Sequence, residues 1–344
     1  MEEIEQIFPL HLRDFIKAAF RQEHRPEELR LRIGQPILLD TGREELYWDK
    51  QAGSLTKIIE NAYRATERDL KEIVAYMSNY SLYAFEEELR AGFLTIQGGH
   101  RIGIAGKAVC EQGSIRTIRQ ISFLNIRIAG ERKGCADQVL YHLRDENAIH
   151  NTLIISPPGA GKTTLLRDII RQLSYGYGDY PGLKVGVVDE RSEIAACYLG
   201  QPQNDLGPRT DVMDCCPKSE GMQVLLRSMS PAVIGVDELG GQRDYEAVEY
   251  ALHCGCRILG TMHGDSLEEM KQKPHLARWL AEGFFERYLF IRREEGKRRI
   301  FEIYNEKLER LNGRRGQMDV ENSRCPTHTG GGGSAGNAVK AASL

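Results

Sequence analysis

The chain of 344 residues has little of three things: long apolar runs, net charge of one sign, and cysteines at metal-binding spacing. No segment approaches the roughly 20 consecutive apolar residues that a membrane-spanning helix needs, so we expect membrane contact to be peripheral or through a partner. The N-terminus "MEEIEQIFPL" carries acidic residues where a signal peptide carries basic ones. The formal net charge of -3 argues against a bulk attraction to nucleic acid.

The 8 cysteines contain no C-x-x-C pair, which excludes the spacing of a zinc ribbon. Scattered cysteines of this kind predict free thiols in a reducing cytosol. A redox switch at the adjacent Cys215 and Cys216 is the alternative interpretation.

Residues 1–140 predict a smaller α+β domain. Apolar residues recur at helical spacing in 10–22, and alternation with glycine and proline punctuation predicts two strands in 27–42. Two helices are expected within 67–92 and a set of antiparallel strands within 93–130.

Residues 141–311 predict a parallel sheet flanked by helices, because short apolar strands alternate with helical segments. The expected strands are 152–156, 184–190, 232–238 and 256–263. A closing hairpin is expected from "RYLFIRR" and "RRIFEIY". Residues 312–344 are too small and polar to bury a core, so they predict a disordered tail.

The stretch "IISPPGAGKTTLLRD" joins a predicted strand to a predicted helix through a turn containing glycine. This order is typical of a phosphate-binding loop, in which backbone N–H groups and a helix N-terminus hold phosphate oxygens. Lys162 is placed to reach the β- and γ-phosphates, and Thr163 to coordinate Mg²⁺. The residues expected to line the nucleotide are Ser156, Pro157, Pro158, Gly159, Ala160, Gly161, Lys162, Thr163 and Thr164.

Ser156 stands where the usual pattern has glycine, and we expect this to loosen the match because serine resists a positive φ. The alternative interpretation of the whole stretch is an ordinary glycine-rich turn with a surface lysine. The flanking strand and helix favour the phosphate loop.

The segment "SPAVIGVDELG" is an apolar strand ending in two acids. At the carboxyl end of such a strand, Asp237 is expected to hold the Mg²⁺ shell through water. Glu238 is expected to polarise the attacking water, since a carboxylate suits a reaction that needs orientation and partial deprotonation. The alternative is an acid pair capping a helix.

The segment "VGVVDERSEIA" ends an additional strand in the same way. We expect Glu190 to support the water or the metal, although the residues do not decide between Glu190 and Glu238 as the main catalytic acid. Asp189, Arg191 and Glu193 can equally form a surface charge cluster.

The segment "GTMHG" ends the next predicted strand with His263. A neutral histidine beside the γ-phosphate can sense its presence through a hydrogen bond and shift a loop. A solvated histidine at a strand end is the alternative.

With these motifs in this order, the chain resembles the stage III sporulation protein AA family, a relative of the type II and type IV secretion and pilus-motor ATPases. The resemblance covers about residues 25–305 and rests on "SPPGAGKTTLLRD", "VVDERSEIAACYLGQPQNDLGPRTDVMDCCPKSEGM", "LLRSMSPAVIGVDELG" and "GTMHG". It implies a RecA-like P-loop ATPase core that binds ATP and Mg²⁺ in a homo-oligomer, expected to be a hexameric ring. It also implies a mother-cell cytoplasmic protein docked on membrane proteins of a channel complex between mother cell and forespore.

Ring ATPases of this kind close their site with arginines from elsewhere, because guanidinium groups neutralise the charge that spreads over the γ-phosphate. Arg227 is the first candidate within the core, since it comes shortly before the acidic strand. The other candidates are Arg209, Arg119 and Arg127. Each can equally be an ordinary ion-pair residue.

The function expected from these features is Mg²⁺-dependent ATP hydrolysis that drives or gates transport at a membrane. One alternative is a nucleotide-dependent scaffold with little turnover. Another is a P-loop motor acting on single-stranded nucleic acid, for which residues 292–316 supply basic side chains with interleaved aromatics. Glutamates nearly balance the charge of that segment, which favours a solvated face, so nucleic acid is not the expected partner.

Overall fold

Two seven-stranded sheets organise the chain. The computed structural model describes residues 1–21, 24–78, 86–111, 113–145, 148–266, 269, 274–293 and 299–311. Both sheets belong to one unit, Met1–Leu311. The predicted tail and part of the basic segment at 292–316 lie outside the described residues. None of the described helices has the length and apolarity needed to cross a membrane.

The N-terminal sheet is antiparallel, with the strand order β4-β3-β2-β1-β7-β6-β5. Its strands are β1 (Glu28–Arg32), β2 (Leu38–Asp40), β3 (Glu45–Asp49), β4 (Ser54–Thr56), β5 (Phe93–Thr95), β6 (Arg101–Glu111) and β7 (Ser114–Arg127). The helices beside it are α1 (Glu2–Ile7), α2 (Arg13–Ala19), α3 (Glu67–Met77) and α4 (Glu86–Ala91). Alternation explains β1, whose Leu29 and Leu31 are fully buried in the core of this sheet. A capping box between Thr66 and Asp69 starts α3.

The second sheet has the order β12-β11-β13-β14-β8-β15-β16, and its first six strands are parallel. These strands are β8 (Thr152–Ser156), β11 (Val185–Asp189), β12 (Thr210–Asp214), β13 (Val233–Val236), β14 (Arg257–His263), β15 (Arg287–Arg293) and the antiparallel β16 (Arg299–Asn305). The helices are α5 (Lys162–Tyr175), α6 (Lys218–Ser228), α7 (Gln242–His253) and α8 (Pro274–Glu282). A short ribbon of β9 (Gly176–Tyr177) and β10 (Tyr180–Pro181) follows α5.

Helices cover both faces of this sheet, so its central strands are apolar throughout. Along β8, Ile154 packs in a cluster with side chains of α5, while Leu153 and Ile155 pack with side chains of α6 and α7. The carboxyl ends of β8, β11, β13 and β14 meet at one edge of the sheet, which brings the predicted motifs to the same side.

The predicted strands and closing hairpin of the second sheet are confirmed, as are the antiparallel strands of the first. The short ribbon of β9 and β10 was missed, and so were three strands of the two large sheets: β3, β4 and β12. The last of these has the sequence "TDVMD", lies at the sheet edge and is nowhere fully buried, so it lacks the apolar run that marks its neighbours. The domain boundary predicted near residue 140 falls between the end of β7 and the start of β8, and it remains a prediction.

Candidate functional site

The turn from β8 to α5 takes its shape from two glycines. Gly159 has a φ of 70° and Gly161 a φ of 101°, which only glycine adopts readily. Ser156 is the last residue of an extended, buried strand, and its hydroxyl donates to the Pro157 carbonyl at 2.9 Å. The steric cost expected for serine at position 156 therefore does not arise, because the left-handed residues lie further along the loop.

Lys162 begins α5, and its amino group folds back over this loop. Its Nζ donates to the Ser156 carbonyl at 3.0 Å and to the Pro157 carbonyl at 3.3 Å, and it lies 3.0 Å from Nδ1 of His263. The side chain is only 6% exposed. Burial lowers the pKa of Lys162, although the charges of Asp237 and Glu238 oppose this.

The surroundings of Lys162 suit an anion. Within the described part of the chain, no carboxylate forms an ion pair with this lysine, so a buried cation rests on carbonyl groups. No side chain of the described residues caps α5 at Gly161, and the first-turn N–H groups of a helix have no intrahelical acceptor. A buried ammonium beside such N–H groups fits the phosphates of a nucleotide.

Thr163 and Asp237 lie together although the strands that precede them, β8 and β13, are not neighbours. β14 separates β13 from β8, yet Thr163 Oγ1 donates to Asp237 Oδ2 at 2.6 Å. The hydroxyl of Thr261 donates to Oδ1 of the same carboxylate. The described residues contain no group of three or more His, Cys, Asp or Glu that could hold a metal ion. A hydroxyl and one carboxylate suit Mg²⁺ that shares its shell with phosphates and water.

Glu238 follows directly and has a φ of 54°. A positive φ in a non-glycine residue costs on the order of 1–3 kcal/mol. Its backbone N–H donates to Thr261 Oγ1 at 2.9 Å, which fixes the turn. One carboxylate oxygen lies 3.0 Å from Nε2 of His263, and the other forms an ion pair with Arg191.

His263 therefore bridges Lys162 and Glu238. Its Nδ1 faces an ammonium, which only donates, and its Nε2 faces a carboxylate. A neutral imidazole protonated at Nε2 satisfies both contacts, since it accepts at Nδ1 and donates at Nε2. The charged groups of the loop and of the acidic strand are linked through this ring.

The other acid pair is used differently. The carboxylate of Asp189 accepts the backbone N–H groups of Glu193, Ile194 and Ala195 at 2.8, 2.9 and 2.7 Å. Burial raises the pKa of Asp189 to about 6, although these three hydrogen bonds act in the opposite direction. Glu190 forms an ion pair with Lys218, at the start of α6.

The candidate arginines lie away from the loop of their own chain. Arg227 is in the last turn of α6, just before β13 begins. It therefore lies near the amino ends of the parallel strands, whereas Lys162 lies near their carboxyl ends. Arg209 donates to the Ser174 carbonyl at 2.9 Å, near the end of α5. Arg119 and Arg127 lie on β7, in the N-terminal sheet.

Cys215 and Cys216 are free thiols. Sγ of Cys215 donates to Oδ2 of Asp214 at 3.6 Å. A neighbouring carboxylate disfavours the thiolate, which argues against the redox interpretation of Cys215 and Cys216.

Five predicted site residues meet at one point: Lys162, Thr163, Asp237, Glu238 and His263. Glu190 and Arg227 are not among them. Two residues of the cluster were not predicted as site residues. Thr261 is fully buried, and a lone hydroxyl in the apolar strand "RILGTMH" is a signal that a partner is needed. Arg191 was assigned only to a possible surface cluster.

The chain matches known proteins along most of its length. A family model described as sporulation stage III, protein AA matches residues 1–311. Stage III sporulation protein AA of Bacillus subtilis (strain 168) is 40% identical over 306 residues, which cover 89% of this chain and 95% of that protein. The uncharacterized protein ycf45 of Cyanidium caldarium is 27% identical over 247 residues, covering 70% and 64%.

Two solved structures are similar in fold. The ATPase DotB of Legionella pneumophila gives a TM-score of 0.54 at 17% identity, covering 85% of this chain and 79% of that one. The pilus retraction motor PilT with bound ADP gives 0.54 at 16% identity, covering 84% and 81%. At these identities the likeness establishes the fold alone, the α/β RecA-like fold that the sequence predicted. On the family match and the 40% identity, the chain belongs to the stage III sporulation protein AA family.

Proposed function

We propose that this chain hydrolyses ATP in a Mg²⁺-dependent reaction at the loop between β8 and α5. The observation that carries the proposal is the buried amino group of Lys162, which rests on carbonyls beside the N–H groups of a helix start. A terminal phosphate offers this lysine the anionic partner that the described residues do not supply.

Each residue of the cluster has a part in this proposal. The loop N–H groups and Lys162 bind the phosphates, and Thr163 and Asp237 are the residues that would hold Mg²⁺, with Asp237 acting through water. Mg²⁺, when bound, neutralises charge on the β- and γ-phosphates. Glu238 orients and partly deprotonates the attacking water.

His263 is proposed to report the presence of the phosphate. When Lys162 turns from the loop carbonyls toward a phosphate, its contact with Nδ1 of His263 changes. Because Nε2 of the same ring binds Glu238, the change reaches the carboxylate that acts on water. Glu190 remains a weaker candidate for this work, since Lys218 already binds it.

The wider setting of the proposal follows from the family and the fold. We propose a homo-oligomer in the mother-cell cytoplasm, which energises or gates a channel complex between mother cell and forespore through membrane-protein partners. Arg227, Arg119 and Arg127 lie away from the loop of their own chain, so a neighbouring subunit is the source from which such an arginine would complete a site. Residues 1–140 and 141–311 are proposed as the two domains.

ATP turnover and nucleotide binding by purified protein test the proposal. Lys162→Ala should lose binding and turnover together, whereas Glu238→Gln should bind MgATP and lose turnover by about a thousandfold. Arg68→Ala is the matched control, because Arg68 forms an exposed ion pair with Glu72 on α3, far along the chain from the site. Wild type that binds ATP without hydrolysing it, alone or with partner membranes, would favour the scaffold; failure to bind nucleotide would overturn the proposal.

A further inference from the structure

One segment of the second sheet contacts both the candidate site and the N-terminal sheet. It follows β11, and its Arg191 forms the ion pair with Glu238. Two residues later, Glu193 forms an ion pair with Arg101 of β6 at 2.7 Å. Farther on, the side chain of Gln203 accepts the backbone N–H of Gly98 at 2.9 Å. The segment therefore links the two sheets.

Side chains of β11 and α5 form hydrogen bonds to the backbone of the turn that carries Arg191 and Glu193. Asp189 binds the backbone N–H groups of this turn, as described above. From α5, Arg167 donates to the carbonyls of Glu193 and Ile194 at 2.6 and 2.7 Å. Arg191 and Glu193 therefore lie two residues apart on one turn whose Glu193 end is hydrogen-bonded to β11 and α5.

The N-terminal end of this link is also well fixed. The guanidinium of Arg101 lies 3.6 Å from the ring centroid of Phe93, on the neighbouring strand β5. Its side chain is 24% exposed, against 60% for Arg191. The ion pair of Arg101 is therefore the more sheltered contact, and that of Arg191 is the one able to exchange its partner for water or a ligand.

In this arrangement both oxygens of the Glu238 carboxylate are engaged, one by Arg191 and one by His263. A carboxylate whose two oxygens accept N–H groups has fewer free lone pairs with which to orient a water. In this structure, contacts to Arg191 and His263 therefore restrain Glu238, the residue that is proposed to act on water.

We propose that Arg191 is a positioning residue that restrains Glu238, and that the contact between Glu193 and Arg101 sets how firmly it does so. The inference rests on the proposed ATP hydrolysis at the same site. A displacement of the N-terminal sheet that breaks the Arg101 contact loosens the turn and releases Glu238. Turnover then depends on the position of the N-terminal sheet, which gives a binding partner there a route to the nucleotide site.

Steady-state turnover and nucleotide affinity of Arg191→Ala, Arg101→Ala and the double variant test this inference. Each single variant should raise kcat by up to about fivefold, the effect of removing a restraint as strong as a partly exposed ion pair, with nucleotide affinity unchanged. The double variant should match Arg191→Ala alone, because both substitutions break one link. The paired reversal Arg101→Glu with Glu193→Arg should restore the wild-type kcat, and Arg68→Ala again serves as the matched control.

A lowered or unchanged kcat in Arg191→Ala, or effects of the two substitutions that multiply, would overturn the inference. If wild type shows no turnover at all, the proposed function fails. Thermal unfolding then tests independently whether Arg191 restrains Glu238. Without nucleotide, the change in Tm of the double variant Arg191→Ala with Glu238→Gln should differ from the sum of the two single changes by about 1–2 °C, which measures the coupling of the two residues. The coupling should persist with Mg²⁺ and a non-hydrolysable ATP analogue, because the proposed release awaits displacement of the N-terminal sheet; coupling that is absent from the start, or that the analogue abolishes, contradicts the proposed restraint of Glu238.

Discussion

The dipeptide Asp-Glu ends two neighbouring parallel strands, β11 and β13, and the two copies meet different surroundings. Asp189 is 1% exposed and is bound by three backbone N–H groups of the turn that follows it. Asp237 is bound by two threonine hydroxyls, from Thr163 and Thr261. The first carboxylate therefore holds its own loop in shape, and the second is accessible to ligand chemistry.

The glutamates differ in the same sense. Glu190 pairs with Lys218 at the start of α6, while Glu238 meets His263 and Arg191 beside the phosphate loop. Strand order explains the difference, because only β14 separates β13 from β8, and both β13 and β14 separate β11 from β8. The two identical Asp-Glu dipeptides therefore have different surroundings because they lie at different distances from the loop between β8 and α5.

Removing the charge of each glutamate in turn tests most directly whether Glu190 and Glu238 have different roles. Glu238→Gln should lower kcat by about a thousandfold, the range of a lost general base. Glu190→Gln should change kcat less than about threefold, because its partner is Lys218 of α6 and not a residue of the phosphate loop. Steady-state ATP turnover measures both. Equal losses in the two variants would show that the pairs are functionally equivalent.

The aspartates should separate in the opposite way. Asp189→Ala leaves three buried N–H groups without an acceptor and should lower the free energy of unfolding by about 3–5 kcal/mol. Asp237→Ala leaves the buried Thr261 hydroxyl and the half-buried Thr163 hydroxyl without their acceptor. It should therefore lower the free energy of unfolding by about 1–3 kcal/mol, less than Asp189→Ala does, while Mg²⁺-dependent nucleotide binding is lost. Chemical denaturation and nucleotide titration distinguish them. A stable Asp189→Ala protein would contradict the structural role.

The pH dependence of stability sharpens the difference further. The pKa of Asp189 is about 6 in the fold against an ordinary 3.8, so the native state binds more protons between these pH values. Its contribution is fully present below about pH 4 and is lost as pH rises through about 6, by about 3 kcal/mol at most. Denaturation of wild type and Asp189→Asn at pH 4 to 7 should show their difference in unfolding free energy falling with pH.

Comparing two variants also removes an opposing contribution. Burial lowers the pKa of His100 to about 4 from an ordinary 6.5, so its contribution is present above pH 6.5 and is lost on acidification. The contribution of His100 to stability is the same in wild type and in Asp189→Asn, so it cancels in the difference between their free energies of unfolding. A difference that rises with pH would contradict the raised pKa of Asp189.

The smallest effect is expected at the partner of Glu190. Lys218→Ala breaks an ion pair whose acid is 39% exposed, and such pairs contribute about 0–1 kcal/mol. Thermal unfolding and turnover should both stay close to wild type. A large loss of turnover in this variant would mean that Glu190 works at the site after all.

The sequence predicted the parallel sheet and the loop because both depend on local pattern: apolar strands, a glycine turn and a helix start. It placed Lys162, Thr163, Asp237, Glu238 and His263 on the correct elements. It could not decide between Glu190 and Glu238, since strand order is a property of the whole sheet and the two dipeptides are identical. Arg191 was missed as a partner of Glu238 for the same reason, because their contact crosses between two strands.

A crystal structure with Mg²⁺ and a non-hydrolysable ATP analogue tests the central claim most directly. We expect the terminal phosphate within hydrogen-bond distance of Lys162 Nζ and the metal on Thr163 Oγ1. An analogue bound elsewhere, or a lysine still resting on the Ser156 and Pro157 carbonyls with nucleotide in place, would contradict it.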